Sequence, residues 1–489
     1  MTRRWLPAVL AALVLARSAV FVFWPASHFD ADQAVTGLMA KHLAELRAFP
    51  VFWYGQTYML GVEAWLAAPL MAVFGATATA LELPLLAINI AVVLLLYRGL
   101  TDDGVDPGWA AFATLFFAAA SPITSAHFLT ANGGNVEPAL YVLLLWFLRR
   151  RWLWMGLVLG LGFLNREFTI YGAIALLVLD AADGTLWSRE RAVHYGGAFG
   201  VAACVWVAVL VLRHFSSAAG PGTSLADLSS HIASNNLGQV AERLCFDPRA
   251  IASGAGQILT VHWPELFGLE RQPLTDFGIE SRGFQGHAGW AWLLVPAIGI
   301  PLVSIAAGRL RSVASRAPRF CGYLVIVAAM SLAGYLIGRC GVVDFYTMRY
   351  ELLSVPGAVG LAGWFLRHER SAPVRTAWAI SCAAIFGAAL AAHAQLAVEY
   401  ATHPPVPAKA VLIDALDARH VRYAYADYWT SYYVTFLTRE RIIVASTDIV
   451  KVRTHNRDVD AHRAEAILIS RRPCANGEQL TPAFWACKP

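Results

Sequence analysis

Charge is what this chain has least of. Only 15% of its 489 residues are charged, against 57% hydrophobic and 12% aromatic, and its mean hydropathy is +0.52. Those proportions exclude an ordinary soluble globular protein, which carries about a quarter charged residues. Paired cysteine motifs are missing as well: Cys204, Cys245, Cys321, Cys340, Cys382, Cys474 and Cys487 include no C-x-x-C and no Cys/His metal spacing. There is no H-x-x-x-H zinc spacing, which leaves His28, His42 and His127 without a metal pattern. No solenoid or low-complexity repeat is present, nor the inverted repeat expected of many transporters. The net charge of +5 is not a nucleic-acid footprint, because the arginines stand in short clusters between apolar runs.

What is present is a series of apolar segments, at about 5–25, 80–99, 108–123, 136–148, 152–164, 168–180, 193–213, 288–307, 320–339, 351–366 and 374–396. They predict an α-helical polytopic membrane protein with about eleven spans, several shorter than the roughly twenty residues of a full crossing. The first segment follows Arg3 and Arg4 and lacks a well-placed small-x-small site, so it reads as an uncleaved span rather than a signal peptide. Short cytoplasmic loops collect Lys and Arg. With Arg3 and Arg4 inside, alternate loops carry Arg98, then Arg149 to Arg151, then Arg189 and Arg191. Arg309 to Arg319 and Arg367 to Arg375 continue the series. The acidic loop Thr101 to Pro107 breaks it. Trp152 to Asp180 fits the parity only as two short helices meeting at Asn165-Arg166-Glu167.

The same parity puts Ser27–Thr79, Thr124–Asn135, the Asn165–Glu167 apex, His214–His287, Arg339–Tyr350 and everything after Ala397 outside. Nearly all the unusual polar residues lie there: Asp30, Asp32, Asn132, Asn135, Glu137, Arg166, Glu167, Asp344 and Arg349. In the first outer loop, Ala34 to Leu46 has the apolar spacing of an interfacial helix, ended by Pro50. Tyr58 to Phe74, apolar except for Glu63, reads as interfacial or re-entrant. The loop His214–His287 is long enough to be functional, as a lid over the site, with a helix at Gln239 to Leu244.

Composition changes after His403-Pro-Pro-Val-Pro407, which predicts residues 1–400 as the membrane domain and 401–489 as a small α/β domain outside. Within it Lys409–Asp417 and Tyr428–Leu437 read as helices, and Val421–Ala426, Arg441–Ala445 and Ala464–Ile469 as strands. Cys474 and Cys487 lie close together there and suit a disulfide in an oxidising compartment.

Asp30-Ala-Asp32 formally matches D-x-D, which in soluble nucleotide-sugar enzymes holds a metal and a diphosphate. Nucleotide sugars are cytoplasmic and this loop is placed outside, so the plainer alternative is a solvated loop start. Asp32 begins a helix whose N-terminal dipole favours an ionised carboxylate, which makes it the better general base; Asp30 is a second ligand, an orienting group or merely exposed. Tyr54, Gln56 and Tyr58 can hydrogen-bond a sugar. Arg166 with Glu167, between apolar runs, is either a self-paired ion pair or a phosphate site. Arg349-Tyr350 offers the same chemistry, or a snorkelling arginine. Asn132-Gly-Gly-Asn135 with Glu137 lines a cavity or is simply a turn. Glu63 and Glu82 can equally pair with Arg inside the bundle.

Together these elements resemble the GT-C class of integral-membrane glycosyltransferases, a class that includes protein O-mannosyltransferases and the lipid A aminoarabinose transferase. The matching residues are Asp32-Gln33 leading into Gly37-Leu38-Met39-Ala40, then Phe49-Pro50, Tyr54-Gly55-Gln56-x-Tyr58 and Ala67-Ala68-Pro69. Leu164-Asn165-Arg166-Glu167 and Met348-Arg349-Tyr350 resemble later basic motifs. The resemblance covers most of residues 1–400. It implies a polyprenyl-phosphate sugar donor, an extracytoplasmic glycolipid, polysaccharide or protein acceptor, inversion at the sugar, and a first-loop acid as catalytic group, here Asp32. The chain departs from the usual Asp-Glu pair, having Asp32-Gln33 with the second acid displaced to Asp30. No cofactor is required by the pattern, although a divalent cation stays open. The implied location is a bacterial inner membrane. Two other classes compete: a transporter or lipid-linked-sugar flippase, which needs polar groups in mid-span and on both faces, and an assembly protein whose tail binds a partner.

Overall fold

A computed structural model of the chain describes residues 4–25, 28–228, 244, 246–268, 291–313, 319–339 and 345–489. The expected helix Gln239–Leu244, apart from its last residue, and the predicted polar residue Asp344 lie outside them.

Every one of the eleven apolar segments contains a helix. They are α1 (Leu6–Phe23), α4 (Ala78–Asp102), α5 (Pro107–Ala118), α7 (Glu137–Leu148), α8 (Trp152–Asn165), α9 (Thr169–Ala182), α10 (Arg189–Leu212), α13 (Leu294–Val313), α14 (Arg319–Arg339), α15 (Ser354–His368) and α16 (Ala372–Thr402). Among the described residues five helices, α1, α4, α10, α14 and α16, are long and apolar enough to cross a membrane alone. The expectation that Thr124–Asn135 is a loop fails in its first half, where α6 (Pro122–Leu129) bends away from α5 by 76°. Pro122 cannot supply the N–H that would continue α5, and the Ser121 hydroxyl accepts from Thr124 N at 3.2 Å to start the new helix. α8 and α9 do meet at Asn165-Arg166-Glu167, as the parity demanded.

The basic clusters gather at one end of the bundle. There Asp180 receives Arg319 at 2.9 Å and Arg191 at 3.4 Å, and Arg319 also reaches Asp183 at 2.6 Å. The acidic loop that broke the pattern belongs to this end and neutralises it. Asp102 pairs with Arg98 at 3.6 Å, and Asp103 accepts from Cys321 N at 3.0 Å within the field of Arg367.

At the other end lie α2 (Ala31–Ala44) and α3 (Val62–Phe74), then α11 (Pro248–Gln257) and α12 (Trp263–Leu266) from the long loop, and the C-terminal segment. That segment comprises α17 (Ala408–Ala418), β1 (Tyr423–Ala426), α18 (Tyr428–Leu437), β2 (Ile443–Ser446), α19 (Arg453–Ala461), β3 (Ile467–Ser470), β4 (Glu478–Thr481) and β5 (Phe484–Cys487). Its sheet runs β2-β1-β3-β5-β4, parallel between β1 and both its neighbours and antiparallel from β3 to β4. The predicted helices and first three strands are present; α19 and the last hairpin were not anticipated, because α19 is strongly polar and the hairpin strands are only four residues each. Cys474 and Cys487 are bonded.

Two expectations for α2 are corrected. It does not float at the interface with one wet face, because nearly all its side chains are buried between α3 and α18. Nor does Pro50 end it: the helix stops at Ala44, and Leu46 turns the chain with φ +56°. Close approach of α18 explains the glycine in the Gly37-Leu38 motif, since a Cβ at Gly37 would lie 2.5 Å from the Phe436 ring. Phe436 in turn stacks on Phe29 at 5.5 Å.

Candidate functional site

The site is assembled from the bottom of α2 outward. Asp30 is the N-cap of α2, its Oδ1 accepting from Gln33 N at 2.9 Å, and it is buried rather than exposed. Asp32 follows in the first turn, half-buried, and its Oδ1 accepts a hydrogen bond from the Tyr428 hydroxyl. Gln33 is a structural tie: its amide donates to His28 O at 3.0 Å and its Oε1 accepts from Ala131 N at 3.4 Å.

Three cations face these two carboxylates. Arg349, on the 3₁₀ segment Phe345–Glu351, lies within the field of both Asp32 and Asp30. Lys409 of α17 acts on Asp30, and Lys451 after β2 acts on Asp32. The Arg349 guanidinium covers the Tyr350 ring at 5.3 Å, and its Nε is buried without a hydrogen-bond partner. Lys451 sits over Trp53 at 4.9 Å. Burial pushes the Asp30 carboxyl up to about 7, with Asp32 adding to the rise and Lys409 and Arg349 opposing it. Burial also lowers the Lys451 ammonium against the pull of Asp32, and raises the Tyr428 phenol, where Asp32 adds to the effect.

A second group lies across a shared wall. Glu63, at the start of α3, is fully buried and accepts from Gly133 N at 2.9 Å and Gly134 N at 2.7 Å, with Glu137 and Arg166 beside it. Both glycines adopt positive φ, +94° and +93°, and a Cβ on Gly134 would meet Arg166 Cγ at 2.7 Å, so the Asn-Gly-Gly-Asn turn is a backbone cradle for a carboxylate. Arg166 Nε donates to Gly134 O at 3.4 Å. Buried Asn132 Oδ1 and Asn165 Oδ1 have no partner, whereas the Asn135 amide is spent on His127 O at 3.0 Å. Tyr350 meets Phe168 edge-on at 5.9 Å, so Arg349-Tyr350 and the Arg166 turn share one wall.

Several sequence-predicted residues go elsewhere. Tyr54 does not face Asp32: its hydroxyl contacts His42 Nδ1 at 3.0 Å near the far end of α2. Tyr58 is 48% exposed, Gln56 is half-buried, and Glu167 is exposed, with no ion pair to Arg166 among the described residues. Glu82 pairs with His28 at 3.2 Å instead of an arginine, and Glu63 takes backbone N–H groups as well as the field of Arg166. The sequence reading missed Lys409, Tyr428 and Lys451 altogether. The only signal was the aromatic run Tyr423–Trp429, which carries no chemistry until folded over α2.

One group among the described residues has the donor set for a metal: His42, Glu440 and His455. Both Nε2 atoms lie on one carboxylate oxygen, at 2.9 and 3.0 Å, while Lys41 and Arg47 take the other at 2.5 and 2.8 Å. Burial lowers the His42 imidazole against the pull of Glu440. Burial alone would raise Glu440, but its hydrogen bonds from the two histidines hold it well below the usual carboxylate range. The donors suit a cation such as zinc. Two neighbouring ammonium and guanidinium charges already satisfy the carboxylate, so the group reads as an ion-pair pin.

Comparisons with known proteins follow the same outline. Residues 62–210 match the family described as dolichyl-phosphate-mannose-protein mannosyltransferase. No curated protein matches the sequence. Among solved structures the chain is similar to ArnT from Cupriavidus metallidurans bound to undecaprenyl phosphate, with 11% identity, a TM-score of 0.65, and coverage of 99% of this chain and 98% of that one. It is also similar to the Archaeoglobus fulgidus oligosaccharyltransferase in complex with Zn and sulfate, at 13% identity, TM-score 0.54 and coverage of 95% and 68%. AglB from Archaeoglobus fulgidus, in complex with an inhibitory peptide and a dolichol-phosphate, gives 14% identity, TM-score 0.53 and coverage of 96% and 69%.

Proposed function

We propose that the chain is a multi-pass membrane glycosyltransferase of the GT-C class that transfers a sugar from a polyprenyl-phosphate donor to an extracytoplasmic acceptor, with Asp32 as general base, a reading supported by the family match over residues 62–210 and by the likeness in fold. The observation that carries this reading is the convergence of Asp30, Asp32 and Arg349 at one spot where cations outnumber carboxylates. An excess of half-buried positive charge suits a ligand that brings its own negative charge, and a phosphate on a lipid fits a site at the end of a bundle. The similar proteins bound to undecaprenyl phosphate and to a dolichol-phosphate support the same donor class.

In this reading Asp32 Oδ2 takes the proton of an acceptor hydroxyl or amine as the acceptor oxygen or nitrogen bonds to the anomeric carbon. The bond from that carbon to the phosphate oxygen breaks, and the electron pair leaves with the lipid phosphate. Arg349 holds that phosphate, with Lys451 and Lys409 neutralising the charge that grows on it. Asp30 caps α2 and orients its first turn. The cradle of Glu63, Glu137, Asn135 and Arg166 borders the sugar, and the unpartnered Asn132 and Asn165 oxygens accept from its hydroxyls. Residues 1–400 form the transfer domain, and residues 401–489 cover the site from outside, consistent with the charged end of the bundle lying in the cytoplasm. The His42, Glu440 and His455 pin lies at the far end of α2 from the reacting groups, and no step passes through it.

The test is transfer by the purified full-length protein, supplied with polyprenyl-phosphate sugars and envelope acceptors. Product formed from a nucleotide sugar without lipid phosphate would overturn the donor assignment.

A further inference from the structure

We propose that Tyr428, from the C-terminal segment, is a positioning residue for Asp32, so that the outer segment completes the active site instead of merely covering it. The inference rests on Asp32 acting as the base.

An ionised carboxylate has two oxygens and rotates freely unless one is held. Here Oδ1 of Asp32 accepts from the Tyr428 hydroxyl, which leaves Oδ2 as the oxygen presented to an acceptor. The ring that delivers this hydroxyl is itself immobile. Tyr428 is 3% exposed and packs edge-on against Trp429 at 5.2 Å and Tyr432 at 5.3 Å. Its backbone N donates to Asp448 Oδ1 at 2.8 Å, and Asp427 caps the same helix by accepting from Thr430 N at 3.0 Å. A tyrosine so placed has two side-chain torsions, both fixed by packing, and therefore transmits the position of α18 to the base. The rest of the Asp32 surroundings attract it but do not orient it: Arg349 and Lys451 act through their fields, and Asp30 is spent on Gln33 N.

Tyr432, one turn on, supplies the contrast. Its hydroxyl accepts from the backbone N atoms of Lys451 and Val452 at 2.6 and 3.0 Å and touches no reacting group. Two buried tyrosines of one helix thus have different work: one holds the chain, the other the carboxylate.

The experiment uses the purified full-length enzyme with a polyprenyl-phosphate sugar donor. Tyr428→Phe keeps the ring and its packing, and it should lower kcat by roughly ten- to a hundredfold, the cost of about 1 Å of misplacement. Donor KM and apparent melting temperature should stay at their native values. Tyr432→Phe should do the reverse, lowering the melting temperature with a smaller effect on kcat. In an Asp32→Asn background the residual turnover should be unaffected by Tyr428→Phe, because the oxygen being positioned no longer acts as a base. Native kcat in Tyr428→Phe, or an equal loss in both backgrounds, would overturn the positioning role while leaving the base intact. Near-native turnover in Asp32→Asn would instead overturn the base, and this inference with it.

Discussion

The two ends of α2 make the most informative comparison in the molecule, because one helix, pressed against one outer segment, ends in two different kinds of polar cluster. At its C-terminal end Lys41 and His42 meet Glu440, and each oxygen of that carboxylate is filled by two donors, His42 and His455 on one, Lys41 and Arg47 on the other. At its N-terminal end the carboxylates crowd each other, Arg349 Nε has no partner, and burial raises Asp30, whereas at Glu440 the hydrogen bonds outweigh burial. A satisfied buried cluster is an anchor. A cluster that its own residues leave unbalanced can take a further charged group, which is why the proposed function is placed at the second end.

The comparison breaks most visibly at Asp32. Asp32→Asn should cut transfer by about a hundred- to ten-thousand-fold, the usual contribution of a general base, while Asp30→Asn costs less. Turnover measured on purified variants decides it, and loss confined to Asp30→Asn would move the role two residues back, to the N-cap. At the anchor the expected damage is to the fold. Glu440→Ala strands His42, His455 and Lys41 and should destabilise by about 3–5 kcal/mol, as removing one partner of a buried ion pair does; thermal inactivation of membranes carrying the variant reads this, and an unchanged profile would mean the pin is ornamental. Arg349→Ala should raise donor KM by roughly ten- to a hundredfold, the worth of a charged hydrogen bond, with little change in melting. Arg166→Ala should do less, since Arg166 faces Glu63 and Gly134 rather than Asp32. Native donor KM in both variants, with the protein still folded, would make both arginines structural.

The smallest effect concerns pH. The Asp30 carboxyl titrates near 7 when folded and near its ordinary 3.8 when unfolded. The folded state therefore holds the proton more tightly, so this group's contribution is fully present below about 4 and is lost as pH rises through about 7. Stability followed from pH 4 to 8 should decline more steeply in the native protein than in Asp30→Asn. Parallel curves would show that Asp30 is not strained by its burial.

Much of the bundle was legible because apolar runs and arginine clusters obey local rules. Each apolar segment holds a helix, and the break at Asn165–Glu167 was required by charge parity before any packing was known. The bend at Pro122 was missed, since a proline inside an apolar run leaves no mark on hydropathy. At the proposed site, Asp32 and Arg349 were visible as polar residues where polar residues are expensive. Tyr54 misled because adjacency in the loop was taken for adjacency in space, whereas the chain turns at Leu46 and carries Tyr54 to His42.

By itself the sequence determined that this protein is helical, apolar, asymmetric in charge between its two ends, and armed with a carboxylate at the start of α2. Those properties follow from spacing along the chain, which residues alone encode. Only the tertiary structure decided which groups surround that carboxylate. Tyr428, Lys409 and Lys451 stand several hundred residues from Asp32, and Glu63 is held by backbone N–H groups that no side-chain pattern advertises. Contacts of that kind are set by how α18 packs over Gly37 and Phe29, through van der Waals fit between surfaces that share no sequence signal.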